Sequence, residues 1–396
     1  MSGDLNRRTS LRGVGAAGLL TVASEAGAAM GPAGGHVAHE VLQAAAAEKP
    51  KYSIRFSVCG MSHDHIYGMI GAVQRGGGVL VSAWGGEADK LAAFRKRYPE
   101  VKIAATQDEV IHDDSVQLVL SSQVPAERAG IGIRVMHAGK DYLSDKPGML
   151  TLEQLDAVKK AIAETHRIYA ILYSELLEVP AAVQAGELVQ AGAIGRVIQT
   201  INIAPHQIHQ GHGDAGGGMG RPDWYWEPTL GGGILNDIGS HQVAQFLYYT
   251  GSTSAEVVES QVANVAHPQH PRFQDFGDMV LRGNRGLGYV RLDWFTPDGL
   301  GTWGDGRLFI LGTEGYIEVR KYTNVAVSKQ GNNLFIVDQK QSRYIDCSQG
   351  DQPFGRLLVA DVVNRTHTAQ DQTQCLLAAE LVIRAQMNAK HVKLEA

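Results

Sequence analysis

The chain has 396 residues, 44% of them hydrophobic, enough for two globular domains rather than one. A net charge of −5 over that length leaves no basic footprint for nucleic acid or an acidic membrane surface. Its three cysteines, Cys59, Cys347 and Cys375, make neither a disulfide framework nor a metal-ligand spacing, and Cys59, in an apolar run, reads as a buried inert thiol.

Residues 1–50 read as a targeting segment and a small-residue arm with no core of its own. Asn6-Arg7-Arg8-Thr9-Ser10-Leu11-Arg12 resembles the twin-arginine export pattern. The mildly apolar stretch Gly13 to Ser24 that follows is too short to span a bilayer, and Ala26-Gly27-Ala28 suits a cleavage site. The expectation is an exported, periplasmic protein with no membrane span in its mature chain.

From Tyr52 strand and helix patterns alternate. Ile54–Cys59, Val79–Ala83, Val101–Ala104, Val116–Leu120, Tyr142-Leu143 and Ile168–Leu172 read as strands. Between them Ile66–Gln74, Glu87–Tyr98, Ile131–His137 and Leu152–Thr165 read as helices. This cadence predicts right-handed βαβ units, a Rossmann-type doubly wound parallel sheet over residues 51–173. After the helix Ala181–Ala191 the pattern changes. A strand over Arg196–Ile203 and a polar loop to Thr229 lead to an apolar helix carrying Asp237 and His241. Strands follow at Glu256–Val265, Phe276–Leu281, Gly288–Phe295, Arg307–Leu311 and Tyr316–Arg320, then helices at Leu357–Asn364 and Cys375–Ala389. Residues 174–396 therefore read as an α+β domain with an open, largely antiparallel sheet.

The turn after the first strand, Gly60-Met61-Ser62-His63-Asp64-His65, is a degenerate dinucleotide fingerprint. Gly60 supplies the tight turn, Ser62 is small enough for close approach to a pyrophosphate, and His65 at the third position predicts a slightly displaced helix start. No acid closes the second strand, where Ala83-Trp84-Gly85-Gly86-Glu87 stands, so NAD and NADP both remain open. Ser144-Asp145-Lys146-Pro147 places Lys146 at the carboxyl end of a strand, where an α/β sheet opens its ligand crevice. Asp237 and His241, four residues apart after Gly231-Gly232-Gly233, are predicted to share one helix face. Lysine, aspartate and histidine together suit alcohol–ketone chemistry: His241 as general base near its ordinary pKa, Asp237 orienting it or holding a hydroxyl, and Lys146 stabilising alkoxide character. His206, His209 and His212 recur at every third residue but lack a cysteine or carboxylate at ligand spacing, so no metal is expected. Trp224, beside Tyr225 and Trp226, suits stacking on a sugar ring.

These segments, with Ala138-Gly139-Lys140 and Ala193-Ile194-Gly195-Arg196, resemble the Gfo/Idh/MocA family of glucose-fructose oxidoreductase and inositol dehydrogenase, over roughly Ile54 to Ala389. The resemblance implies a bound NAD or NADP, a sugar, cyclitol or glycoside as substrate, and homodimers or homotetramers formed through the open sheet. It places cofactor contacts at Gly60, Met61, Ser62, His63, Ser122, Gln123 and Lys146, and substrate contacts at Glu175, His206, Trp224 and Asp237. Two departures stand out: Asp145 replaces the family's glutamate before the lysine, and Arg128 falls where the family has a histidine. Hydride transfer is the implied reaction. The alternatives are glycoside cleavage through transient oxidation and elimination, and a non-catalytic sugar-binding protein.

Overall fold

The computed structural model describes residues 38–42, 49–208 and 221–394. The nucleotide half follows in chain order after β1 (Ala38–Val41): β2 (Ile54–Cys59), α1 (His65–Arg75), β3 (Gly78–Trp84), α2 (Ala88–Arg97), β4 (Lys102–Ile103), α3 (Gln107–Ile111), β5 (Leu118–Ser121), α4 (Pro125–His137), β6 (Asp141–Asp145), α5 (Leu152–Thr165) and β7 (Tyr169–Leu172). Strands β2 to β7 pair in the order β4-β3-β2-β5-β6-β7, all parallel. Every residue of β5 is buried, as expected of a parallel strand covered on both faces. Helix α4 starts six residues before the predicted Ile131, because Pro125 at its first position is preset for a helix and needs no amide partner.

The second half comprises α6 (Ser174–Leu177), α7 (Pro180–Gln190), β8 (Val197–Pro205), α8 (Pro228–Gly231), α9 (Gly233–Asp237), α10 (Gly239–Thr250), β9 (Ala255–Ala263), β10 (Phe276–Gly283), β11 (Leu287–Asp293), β12 (Arg307–Gly312), β13 (Gly315–Arg320), β14 (Asn333–Asp338), β15 (Ser342–Asp346), α11 (Phe354–Asn364), α12 (Gln372–Asn388) and β16 (Lys390–His391). Its sheet runs β1-β15-β14-β13-β12-β8-β11-β10-β9-β16, antiparallel except for the β8–β11, β1–β15 and β9–β16 pairs. The expected open, mixed sheet is therefore present. Helices α10 and α12 cover one face, while Val258, Val280, Leu287, Leu311 and Tyr316 stand exposed. Part of the arm departs from expectation, since Ala38–Val41 forms the edge strand beside β15 instead of a structureless tether.

Two contacts return the end of the chain to its beginning. Helix α11 crosses the end of α1 so closely that a Cβ on Gly355 would sit 1.8 Å from the Ala72 carbonyl oxygen, and one on Gly76 2.2 Å from that of Gly355. Only glycine permits this approach, and it seats Phe354, Leu358 and Val359 in the core formed by Phe56, Met69 and Val73. Beside it, Gln370 and Gln372 use both ends of their amides on β7. The Gln370 amide pairs with the N–H (3.2 Å) and C=O (3.0 Å) of Ile171, that of Gln372 with those of Tyr169 (3.1 and 2.7 Å). The outer edge of the parallel sheet is thereby closed without another strand. All three cysteines are buried, and burial raises each thiol pKa, Cys59 to about 12.

Candidate active site

The glycine turn after β2 is built for close approach. Gly60 has φ of +101°, and a Cβ there would lie 2.7 Å from Cβ of Gln123. The turn is anchored to the sheet through Gly60 N–H to Trp84 O (2.9 Å), His63 N–H to Ser122 O (3.0 Å) and Ser122 N–H to Gly60 O (3.1 Å). The Met61, Ser62 and Asp64 amides make no hydrogen bond within the described residues, and they sit at the start of α1, where amides and helix dipole favour an anion. The Ser62 hydroxyl lies within reach of Gln123 Oε1 (2.9 Å) and in short contact with Glu87 Oε1. Glu87 supplies the acid missing from the end of the second strand. It caps α2 from three residues further on, and its Oε2 is buried without a partner. These features fit a dinucleotide.

His65 opens α1 directly, without the displacement expected of it, because its ring is drawn inward. The Asp145 carboxylate, at the end of β6, accepts from His63 Nδ1 (3.1 Å), His65 Nδ1 (2.9 Å) and the Lys146 amide (2.8 Å), and forms an ion pair with Arg128 Nη2 (3.1 Å). A carboxylate only accepts, so in their neutral forms both imidazoles carry the proton on Nδ1 and the lone pair on Nε2. Burial alone would raise the Asp145 pKa, but the His65 and Arg128 charges and both histidine hydrogen bonds hold it well below the usual carboxylate range. Burial is the main reason His63 is pushed down to about 3. One nitrogen or oxygen from each of His63, His65 and Asp145 lies within 4.8 Å of the others, a spacing also compatible with a metal ion. Three N–H donors and the Arg128 ion pair surround this carboxylate, a hub that orients the two histidines. Arg128, read in the sequence as a departure at a cofactor position, is a buried clamp. Besides its ion pair with Asp145 it donates to the carbonyls of Gln123 (2.6 Å), Lys146 (2.5 Å) and Pro147 (3.1 Å).

Lys146 leaves this hub and crosses to the second half, where its Nζ donates to Asp237 Oδ1 at 2.7 Å. The Tyr225 hydroxyl donates to the other oxygen, Oδ2, at 3.2 Å. Burial raises the Asp237 pKa, but Lys146 overrides it and leaves the carboxyl below its ordinary value. Asp237 and His241 do not share one continuous helix as expected. Asp237 ends α9 and His241 lies in the first turn of α10, separated by a tightened turn at Ile238. Both remain within reach of the Lys146 charge. His241 is buried, its Nδ1 has no partner among the described residues, and burial followed by the Lys146, His65 and Lys321 charges depresses its pKa well below the usual histidine value. The expectation of a base titrating near its ordinary pKa is corrected accordingly.

Glu175 is spoken for by residues the sequence reading missed. Its carboxylate takes a short ion pair from the fully buried Lys321 and a 2.8 Å hydrogen bond from Gln242, and its carbonyl accepts from Gln245 at 2.9 Å. Burial raises the Glu175 pKa, yet Lys321 brings it below the ordinary value, so this residue is an ionised anchor rather than a reserve base. An aromatic wall completes the site. Tyr225 lies 5.3 Å from Trp224 and 5.4 Å from Trp294, and His206 lies 5.3 Å from Trp294 and 4.6 Å from Trp303. His206 Nδ1 donates to the Ala204 carbonyl (3.2 Å), and burial lowers its pKa to about 3. His209 and His212 lie outside the described residues.

Residues 182–318 match the GFO/IDH/MocA C-terminal domain family. The chain is 43% identical to an oxidoreductase of known structure from Erwinia carotovora atroseptica SCRI1043, covering 86% of this chain and all of that one with a TM-score of 0.81. The D-xylose dehydrogenase of Paenarthrobacter nicotinovorans is 24% identical over 152 residues, so the match spans only 38% of the length of each protein. A levoglucosan dehydrogenase solved with NADH shares the fold at 16% identity, with 85% of this chain and 98% of that one covered and a TM-score of 0.64. The chain belongs to the Gfo/Idh/MocA family.

Proposed function

We propose that the protein transfers hydride between a tightly held nicotinamide nucleotide and a carbinol carbon of a sugar-like substrate. The observation that carries this reading is the Lys146–Asp237–Tyr225 chain, set between the glycine turn and the aromatic wall. Small-sugar names among the relatives support the carbohydrate class, as does a neighbour solved with NADH. The Met61, Ser62 and Asp64 amides would hold the pyrophosphate, Glu87 the adenosine ribose, and Ser122, Gln123 and Lys146 the nicotinamide end. When bound, the nucleotide supplies the hydride acceptor or donor. Lys146 Nζ hydrogen-bonds the reacting oxygen and stabilises its alkoxide character, while Asp237 and Tyr225 keep the ammonium in place. His241, neutral, accepts the hydroxyl proton in oxidation and returns it in reduction.

A base of depressed pKa stays neutral as pH falls through the ordinary histidine range and is lost only below its own value. The acid limb of kcat/KM for sugar oxidation is therefore expected below the ordinary histidine range. A limb near neutrality that disappears in His241→Asn would restore the ordinary base.

Glu87 supports NAD over NADP, because a buried carboxylate oxygen without a partner accepts from a ribose hydroxyl and repels a 2′-phosphate. Native mass measurement of protein purified without added nucleotide and dialysed is the test. The expected result is a retained increment matching NAD(H), with NADH affinity about tenfold weaker in Glu87→Gln, as for loss of one charged hydrogen bond. Retention of NADP(H), or no uptake of either nucleotide, would reject this assignment.

Tight retention suits the twin-arginine pattern at Asn6–Arg12, which lies outside the described residues. We infer export to the periplasm by a route that carries folded proteins, with the nucleotide loaded beforehand and recycled within each catalytic cycle. The exposed row Val258, Val280, Leu287, Leu311 and Tyr316 supports a homo-oligomer formed through the open sheet.

A further inference from the structure

Three ion pairs frame this site, and one cation among the described residues stands outside them. Asp145, Asp237 and Glu175 are matched by Arg128, Lys146 and Lys321. One further cation, Arg221, has no carboxylate partner among the described residues. Its guanidinium lies 4.7 Å from the ring centre of Tyr225 and 4.8 Å from that of Trp294. One Nη donates to the Gln207 carbonyl at 3.0 Å, and Nε is buried without an acceptor among the described residues. Tyr225 is the same residue whose hydroxyl holds Asp237, so this guanidinium stands one side chain away from the Lys146–Asp237 pair. The Nε1 of Trp224, on the same wall, is also a buried donor without an acceptor among the described residues.

A planar guanidinium stacked on aromatic rings keeps its edge for a bidentate acceptor, and carboxylate and phosphate both match that fork. A single positive charge matches a carboxylate rather than a phosphate dianion, and a neutral sugar would leave the cation unmatched. Resting on the oxidoreductase reading above, we propose that the substrate is a sugar acid. Its carboxylate pairs with Arg221, its ring lies against Trp224, and the carbinol to be oxidised, or the ketone to be reduced, faces Lys146. No atom is transferred at Arg221; the residue sets substrate choice and position.

The test is calorimetric titration of the NADH-loaded enzyme with matched pairs of acid and neutral sugars: D-glucuronate against D-glucose, D-galacturonate against D-galactose, and D-gluconate against D-glucitol. At least one acid is expected to bind about tenfold or more tightly than its neutral partner, the scale of one charge-assisted hydrogen-bonded pair. Raising the salt concentration should weaken the acid alone. In Arg221→Gln the preference should collapse, and Arg221→Lys should recover part of it. Equal binding of acid and neutral sugars by the wild-type protein, or a preference that persists in a folded Arg221→Gln variant, overturns the proposal. If that variant does not fold, a wild-type preference insensitive to salt overturns it instead. Hydride transfer confined to neutral sugars would reject the sugar-acid assignment and keep the oxidoreductase. The expected binding pattern without hydride transfer to any sugar would reject the oxidoreductase and keep the anion site.

Discussion

Lys146→Met is expected to lower turnover by about a hundredfold or more, the usual scale for removing one donor to a developing oxyanion. The single variant also strands Asp237 as a buried carboxylate with only the Tyr225 hydroxyl for company. Breaking a buried pair from one side costs about 3–5 kcal/mol, so low activity in this variant would mix chemistry with instability. Lys146→Met combined with Asp237→Asn separates them. Removing both charges should return most of the stability, because the desolvation cost disappears along with the attraction, while turnover stays low. Thermal melting and single-turnover hydride transfer on the three proteins decide the matter. Near-normal transfer in the double variant would remove Lys146 from the chemistry.

Arg128→Met should cost stability on a similar scale, about 3–5 kcal/mol, because it leaves the Asp145 carboxylate buried and short of its only arginine. It also strands the Gln123, Lys146 and Pro147 carbonyls, and Gln123 and Lys146 are the residues proposed to hold the nicotinamide end. Nucleotide affinity should therefore fall together with stability. Arg128→Lys restores the charge but not the fork, and one ammonium cannot reach all four acceptors, so its recovery should be partial. Urea unfolding, with the slope checked for constancy, reads the effect. A stability change within about 0.5 kcal/mol of wild type, the scale of an ordinary surface substitution, would show that Arg128 holds nothing in place.

The parallel sheet was legible because its strands are apolar on both faces and its helices keep a strict cadence; Leu118–Ser121 admits little else. Strands β14 and β15 went unread because their stretch also carries Asn332, Asn333 and Gly331, and their pairing partners lie in other strands. Lys146 and Asp237 were visible as residue types in the right surroundings. The hub at Asp145 was not, since His63 and His65 are 82 and 80 residues away, and in the sequence His65 looks like an imperfect glycine. Lys321 lies 146 residues from Glu175, and nothing near either one signals the other. Long-range pairing of charges is a property of the folded surface and leaves no local periodicity. The turn at Ile238 has the same character, because four-residue spacing looks identical in an unbroken helix.

The return of α11 and of the Gln370 and Gln372 amides to the nucleotide half sets an order of events during synthesis. A nascent chain that has emerged as far as Gly350 already carries the glycine turn, Glu87, Arg128 and Lys146. It still has a bare flank on α1, where Phe354 and Leu358 belong, and an open edge on β7. The half of the molecule made first is thus sealed by the part made last. A ribosome that stalls late therefore releases a chain that has the glycine turn and Lys146 but leaves the apolar flank of α1 and the edge of β7 uncovered.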